Sequence, residues 1–96
     1  MIELIMLTNG TELVASTEND GRCIFVENAM MIVNSEDHRY FAKWKPILVP
    51  WLRNVGRLAF DRHPISLSNV MIIFGESEIP ETVLIEYNKA LDRFKH

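Results

Sequence analysis

Cysteine is almost absent from this chain: Cys23 stands alone, so no intrachain disulfide can form and a reducing compartment is expected. Glycine is sparse. The four glycines, at 10, 21, 56 and 75, make neither a phosphate-cradling loop nor a dinucleotide fingerprint. Long apolar runs are missing too, because the longest, residues 46–52, falls far short of the about 20 residues of a membrane helix. The opening Met1-Ile2-Glu3 lacks the basic-then-apolar order of a secretory signal, so a cytoplasmic location without membrane association is expected. His38, His63 and His96 lie far apart, and no His, Cys, Asp or Glu cluster has ligand spacing; neither a metal nor a cofactor is expected. Asp61-Arg62-His63 combines an acid with an imidazole, but no motif brings a Ser or Cys nucleophile beside them. A surface ion pair is the expectation there, and the chain reads as a non-enzyme.

What is present fits one small domain over residues 1–96. Ninety-six residues with 48% hydrophobic and 24% charged side chains can bury roughly 60 to 65% of the unfolded surface, leaving little room for a deep cleft. The net charge of −3 conceals an asymmetry. Residues 1–37 carry seven acids and one base, whereas residues 38–63 carry six bases (Arg39, Lys43, Lys45, Arg53, Arg57 and Arg62) against Asp61 alone. Acids prevail again over residues 64–96.

Asn9-Gly10 and Asp20-Gly21 are strong hairpin signals, since both central positions of a type I′ turn need positive φ. Two-residue turns there predict a three-stranded meander over residues 2–33. Met6 would pair with Leu13 and Leu4 with Ala15; beyond the second turn Thr17 would pair with Ile24 and Ala15 with Val26. Ile2, Leu4, Met6, Leu13, Ala15, Ile24 and Val26 would then share one face, leaving Ile5, Val14 and Phe25 among acids on the other. Along the third strand Ile24, Val26, Met30 and Ile32 are expected inward, with Asn28 as a polar exception.

Residues 34–43 read as a polar loop and 44–53 as a fourth strand. Pro46 and Pro50 restrict that strand to a sheet edge or bulge. A bare apolar edge invites aggregation, so pairing with another subunit is expected. Residues 54–64 read as a connection and 65–74 as a fifth strand, continuously apolar at its end as though covered on both faces. Pro80 and Glu81 begin a C-terminal helix, placed at 79–95, with Lys89, Arg93 and Lys95 toward its end. Val83, Leu84, Tyr87, Leu91 and Phe94 recur at helical spacing and should dock on the β unit of residues 1–75 or on a neighbour.

Cations follow phosphates and rings stack on bases, so bases interleaved with aromatics suit single-stranded nucleic acid. Residues 38–63 have that mixture, with Tyr40, Phe41, Trp44, Trp51 and Phe60 among the six bases. Two readings are open: a nucleic-acid surface, or core and interface tryptophans beside a solvated basic rim.

A five-stranded, strongly bent antiparallel sheet or barrel with an edge seeking a partner resembles the Sm-like (Lsm) family, an SH3-like barrel, here with a C-terminal α-helix. Leu7-x-x-Gly10-x-x-Leu13-x-Ala15 is similar to the opening of the first Sm motif. Leu7-Thr8-Asn9-Gly10-Thr11-Glu12, Glu27-Asn28, Leu48-Val49-Pro50-Trp51, Ile65-x-Leu67-Ser68-x-Val70 and Tyr87-Asn88 resemble the short branch from tailed phages, including those infecting marine cyanobacteria. The resemblance implies a closed homo-oligomeric ring of five to seven subunits, built by pairing the fourth strand of one copy with the fifth of the next. It also implies RNA binding, and host cytoplasm for a phage protein. The family's Asp-x-x-Met-Asn motif is only echoed by Glu27-x-x-Met30-Met31, and Ser68-Asn69 stand where a basic pair belongs. The candidate RNA contacts are therefore Trp51, Arg53, Asn54 and Arg57, flanking the connection into the last strand. The rival is a structural or adaptor ring that assembles phage or host proteins without RNA.

Overall fold

The computed structural model describes residues 1–33 and 46–95, apart from the side chain of Arg53. The polar loop expected at 34–43, the start of a strand at Trp44, and His38 and His96 lie outside the described residues. The architecture is mainly β: β1 (Ile2–Leu7), β2 (Glu12–Asn19), β3 (Cys23–Val33), β4 (Ile47–Pro50), β5 (His63–Ser66) and β6 (Val70–Gly75), followed by helix α1 (Glu81–Lys95). The sheet is antiparallel, ordered β4-β3-β2-β1-β6, with β5 paired to β3 beside β4. Six strands replace the five expected, and the sheet is not closed. The single strand expected at 65–74 is broken by a 3-10 turn, Leu67–Asn69. The chain thereby leaves the outer edge of β3 and returns along the outer edge of β1.

The first hairpin is one residue out of the expected register. Gly10 N–H donates to the Leu7 carbonyl at 2.9 Å and Leu7 N–H to the Thr11 carbonyl at 2.8 Å, so the loop holds Thr8, Asn9 and Gly10. Only Gly10 has positive φ (89°), and the Asn9 side chain accepts from Thr11 N at 2.9 Å. That is a type I turn closed by a glycine bulge, which needs the left-handed region once rather than twice. Leu4 consequently pairs with Val14 and Ile5 with Leu13. At the second hairpin the central residues are Gly21 and Arg22, because Asp20 N–H donates to the Cys23 carbonyl at 3.2 Å. Asp20 Oδ1 accepts from Arg22 N and Cys23 N, at 2.9 and 3.0 Å. Thr17 thus pairs with Val26, two residues from the expected partner.

A one-residue slip exchanges the faces of a strand, and both faces are in fact buried. The inner cluster contains Ile5, Leu7, Leu13, Ala15, Ile24, Val26, Ala29 and Ile65; the opposite cluster joins Leu4, Val14, Met30 and Leu48 to Ile79, Val83, Tyr87 and Ala90 beneath α1. Strand β3 serves both. Ser16 faces Glu27 while Val14 faces Met30, so one residue of β2 stands opposite two of β3. Asn28 takes φ of 55° at this bulge, and the alternation reverses across it. Ile24 and Val26 point to the inner cluster, whereas Met30 and Ile32 belong to the helix side, correcting the expected single inward row.

Pro80 sits just outside α1, its carbonyl accepting from Leu84 N at 3.2 Å. The helix therefore begins at Glu81 rather than 79. Val83, Tyr87 and Ala90 are buried against the sheet, with Leu84 and Leu91 packed beside them and Phe94 left exposed. Among the described residues, strands β4 and β6 each have one neighbour. Met71 and Ile72 on β6 are 57% and 40% exposed, so this strand is an edge and not the doubly covered strand its apolar run suggested.

Candidate functional site

The basic stretch that follows β4 is shaped by two backbone features. Leu52 adopts φ of 27°, and Gly56, at φ 63° and ψ −131°, splits the 3-10 segment Arg53–Phe60 into two turns. Its end is held by two bonds to the Leu58 carbonyl, from Asp61 N–H at 3.1 Å and from His63 Nε2 at 2.5 Å. Ala59 is buried and Phe60 packs at the margin of the helix-side cluster, which leaves Asn54 and Arg57 on the surface.

The four residues expected to contact RNA are not gathered into one patch. Trp51 is partly buried against the inner cluster and lines a groove of about 410 Å³ with Thr8, Asn9, Ser66 and Asn69. Arg57 lines two other grooves. One, of about 350 Å³, is apolar, formed by Pro50, Phe60 and Phe94; the other, of about 730 Å³, also holds Glu27, Phe60, Asp61, Arg62 and Lys95. Asn54 is exposed and lines none of these three, and the Arg53 side chain lies outside the described residues. Phe60 and Arg62 belong to the basic, aromatic stretch, yet neither is among the expected contacts. Lys95 is expected only to suit the helix dipole, and no local signal brings the end of α1 to Arg57.

Charges in the larger groove are unevenly engaged. The expected Asp61-Arg62-His63 ion pair is replaced by a longer-range one: Arg62 lies 3.2 Å from Glu18 and its guanidinium sits 4.1 Å above the Phe25 ring. Arg57 and Lys95 have no ion pair or hydrogen bond among the described residues. Asn28 lines the groove as well, its Oδ1 buried without a partner. Behind it the Tyr87 hydroxyl donates to the Asn28 carbonyl at 2.9 Å. Burial, with the Glu27 carboxylate as a lesser cause, pushes Tyr87 up to about 12.

The remaining polar sites are structural. Backbone N–H donors of Cys23 and Arg22 hold Asp20 below its ordinary carboxylate range. Desolvation, then the Asp20 charge, raises the Cys23 thiol, so it is not an activated nucleophile. Ser68 and Asn69 form the 3-10 turn, with the Ser66 and Ser68 hydroxyls 2.9 Å apart and Thr8 N–H donating to the Asn69 carbonyl. Met31 is partly buried against the inner cluster. Among the described residues no group of three or more His, Cys, Asp or Glu is placed to hold a metal ion, and no helix is long and apolar enough to cross a membrane.

No family model matches the chain, and no curated protein matches it.

Proposed function

We propose that the chain is a subunit of an Sm-like homo-oligomeric ring, in which β4 of one copy pairs with β6 of the next and the assembled ring binds single-stranded RNA without catalysis. The observation that carries this reading is that, among the described residues, the two strands at opposite ends of one sheet each leave an edge unpaired. Ile47 on β4 is 47% exposed, and Met71 and Ile72 on β6 are similarly bare. Unpaired strand edges with apolar side chains are a liability that another strand removes. The β6 register shifts near Met71, but residues 72–75 run regularly against β1. Head-to-tail pairing of two different edges closes into a ring when the rotation per subunit allows it. RNA is favoured by the family resemblance and by the cations Arg57 and Lys95, which make no ion pair among the described residues. Repetition around a ring would raise avidity without new contacts.

Native mass spectrometry tests the assembly: a closed oligomer of five to seven copies is expected, and a monomer at micromolar concentration overturns it. Ile72→Lys should dissociate the oligomer while leaving the far-ultraviolet circular dichroism unchanged. Anisotropy titrations of U-rich and A-rich RNAs, with matching DNAs at two salt concentrations, test the ligand. RNA binding that weakens with salt is expected.

A second reading is favoured by the separation of Trp51 from Arg57: a ring that serves as an adaptor for phage or host proteins. Partners that survive nuclease treatment in a pull-down would support it, and loss of all partners with nuclease would count against it.

A further inference from the structure

We infer that the groove between the Arg53–Phe60 segment, the β3 bulge and the end of α1 is a ribonucleotide site, with Arg57 and Lys95 on phosphates, Phe60 under a base, and Asp61 and Glu27 on the ribose 2′-hydroxyl. This rests on the RNA-binding reading above and replaces Trp51, Arg53 and Asn54 as the contacts. The groove measures about 730 Å³, in the range of about 300 to 1,000 Å³ usual for small-ligand sites. Its lining comes from parts of the chain distant in sequence: Glu27 and Asn28 on β3, Arg57, Phe60, Asp61 and Arg62 after β4, and Lys95 at the last turn of α1.

The charge arrangement selects the ligand class. Cations and carboxylates line the same groove, yet neither Arg57 nor Lys95 makes an ion pair with Asp61 or Glu27. A ligand with anionic groups alone would leave both carboxylates facing like charge. A neutral ligand would leave two cations unmatched. A ribonucleotide offers both complements, an anionic phosphate for the guanidinium and ammonium and a hydroxyl donor for a carboxylate acceptor. Phe60 is partly exposed and supplies the ring face on which a base stacks. Arg62, already held by Glu18 and the Phe25 ring, forms a fixed wall and is not an additional free contact. The 2′-hydroxyl is the group by which a site distinguishes RNA from DNA. DNA placed in this groove would leave the carboxylates without a donor, so the site should prefer RNA of the same sequence.

The test uses the intact chain and short single-stranded oligonucleotides followed by anisotropy. Arg57→Gln with Lys95→Gln should weaken RNA binding about tenfold or more at low salt. The slope of log affinity against log salt should become shallower by about 1.4, or about 0.7 for each phosphate no longer neutralised. Asp61→Asn with Glu27→Gln should narrow the preference for RNA over matching DNA while DNA affinity holds or rises. All four side chains are exposed, and unchanged thermal midpoints check that folding is preserved. RNA binding with an unaltered salt slope in the Arg57/Lys95 variant overturns this site and leaves the RNA reading standing. An RNA preference untouched by the carboxylate variant overturns the hydroxyl assignment. No RNA binding by the unaltered chain at tens of micromolar and low salt overturns both this site and the RNA reading.

Discussion

The hydroxyl of Tyr87, in the middle of α1, donates a 2.9 Å hydrogen bond to the main-chain carbonyl of Asn28, the residue at which β3 bulges. The bond ties the only long helix among the described residues to the point where the sheet changes faces. Tyr87 is 2% exposed, so Tyr87→Phe leaves the ring packed and removes only the donor. A loss of about 1 to 2 kcal/mol in urea unfolding is expected. The tyrosine also makes stability pH-dependent. Its hydroxyl is pushed up to about 12 in the folded chain, above the unfolded value of about 10. The unfolded state therefore releases its proton first. This contribution is intact below about pH 10 and is lost as pH rises toward 12, on the order of 2 to 3 kcal/mol in all. Unfolding midpoints between pH 9 and 11 should fall more steeply for the parent chain than for Tyr87→Phe.

Asn28 itself holds positive φ, and its buried Oδ1 lacks a partner. Asn28→Gly should be neutral or slightly stabilising, because glycine adopts φ of 55° freely and removes an unsatisfied acceptor. Asn28→Ala removes the same acceptor but loses asparagine's tolerance of the left-handed region, so it should be less stable than Asn28→Gly by about 1 to 2 kcal/mol. Thermal midpoints of the two variants, compared side by side, check the sign of the difference.

Asn28 also marks where the sequence stops being legible. Strand existence, the two hairpins, the edge character of β4 and the apolar face of α1 follow from local pattern, because period, turn residues and proline act locally. Register does not. Asn9-Gly10 suits a two-residue turn and a three-residue loop alike, and the choice decides which face Leu4 and Val14 occupy. With apolar residues at both parities along β1 and β2, binary patterning could not arbitrate. The bulge at Asn28 and the break at Leu67–Asn69 are tertiary decisions, made by what each half-strand pairs with. The candidate site suffered similarly. Trp51 and Arg57 are close in sequence but the Gly56 kink and the packing of Trp51 send them to separate grooves, while Lys95 arrives from the far end of the chain.

Val14 separates the two registers experimentally. A two-residue turn would place it on the face shared with acids, where truncation costs little. The observed pairing leaves it 0% exposed in the cluster beneath α1. Val14→Ala should therefore cost about 2 kcal/mol or more, comparable to Leu13→Ala on the opposite face. A chemical denaturation midpoint for each variant settles the comparison, and a harmless Val14→Ala would support the alternative pairing.

Two glycines offer a matched test of the backbone. Gly56 lies at φ 63° and ψ −131°, and a Cβ built there meets nothing within 4 Å, so any penalty for alanine comes from conformation and not from a clash. Gly56→Ala should cost on the order of 1 to 3 kcal/mol. It should also change how Arg57 is presented, because the kink at Gly56 immediately precedes Arg57, which lines the charged groove. Gly75 is the control. Its φ of −69° is ordinary for any residue, and a Cβ there would make only a van der Waals contact with Glu78 Oε1 at 3.9 Å. Gly75→Ala should stabilise the chain by about 0.4 to 1 kcal/mol, through a less flexible unfolded state. Opposite signs in the two thermal midpoints are expected. Equal and small effects would mean that the segment before Arg57 does not depend on its glycine.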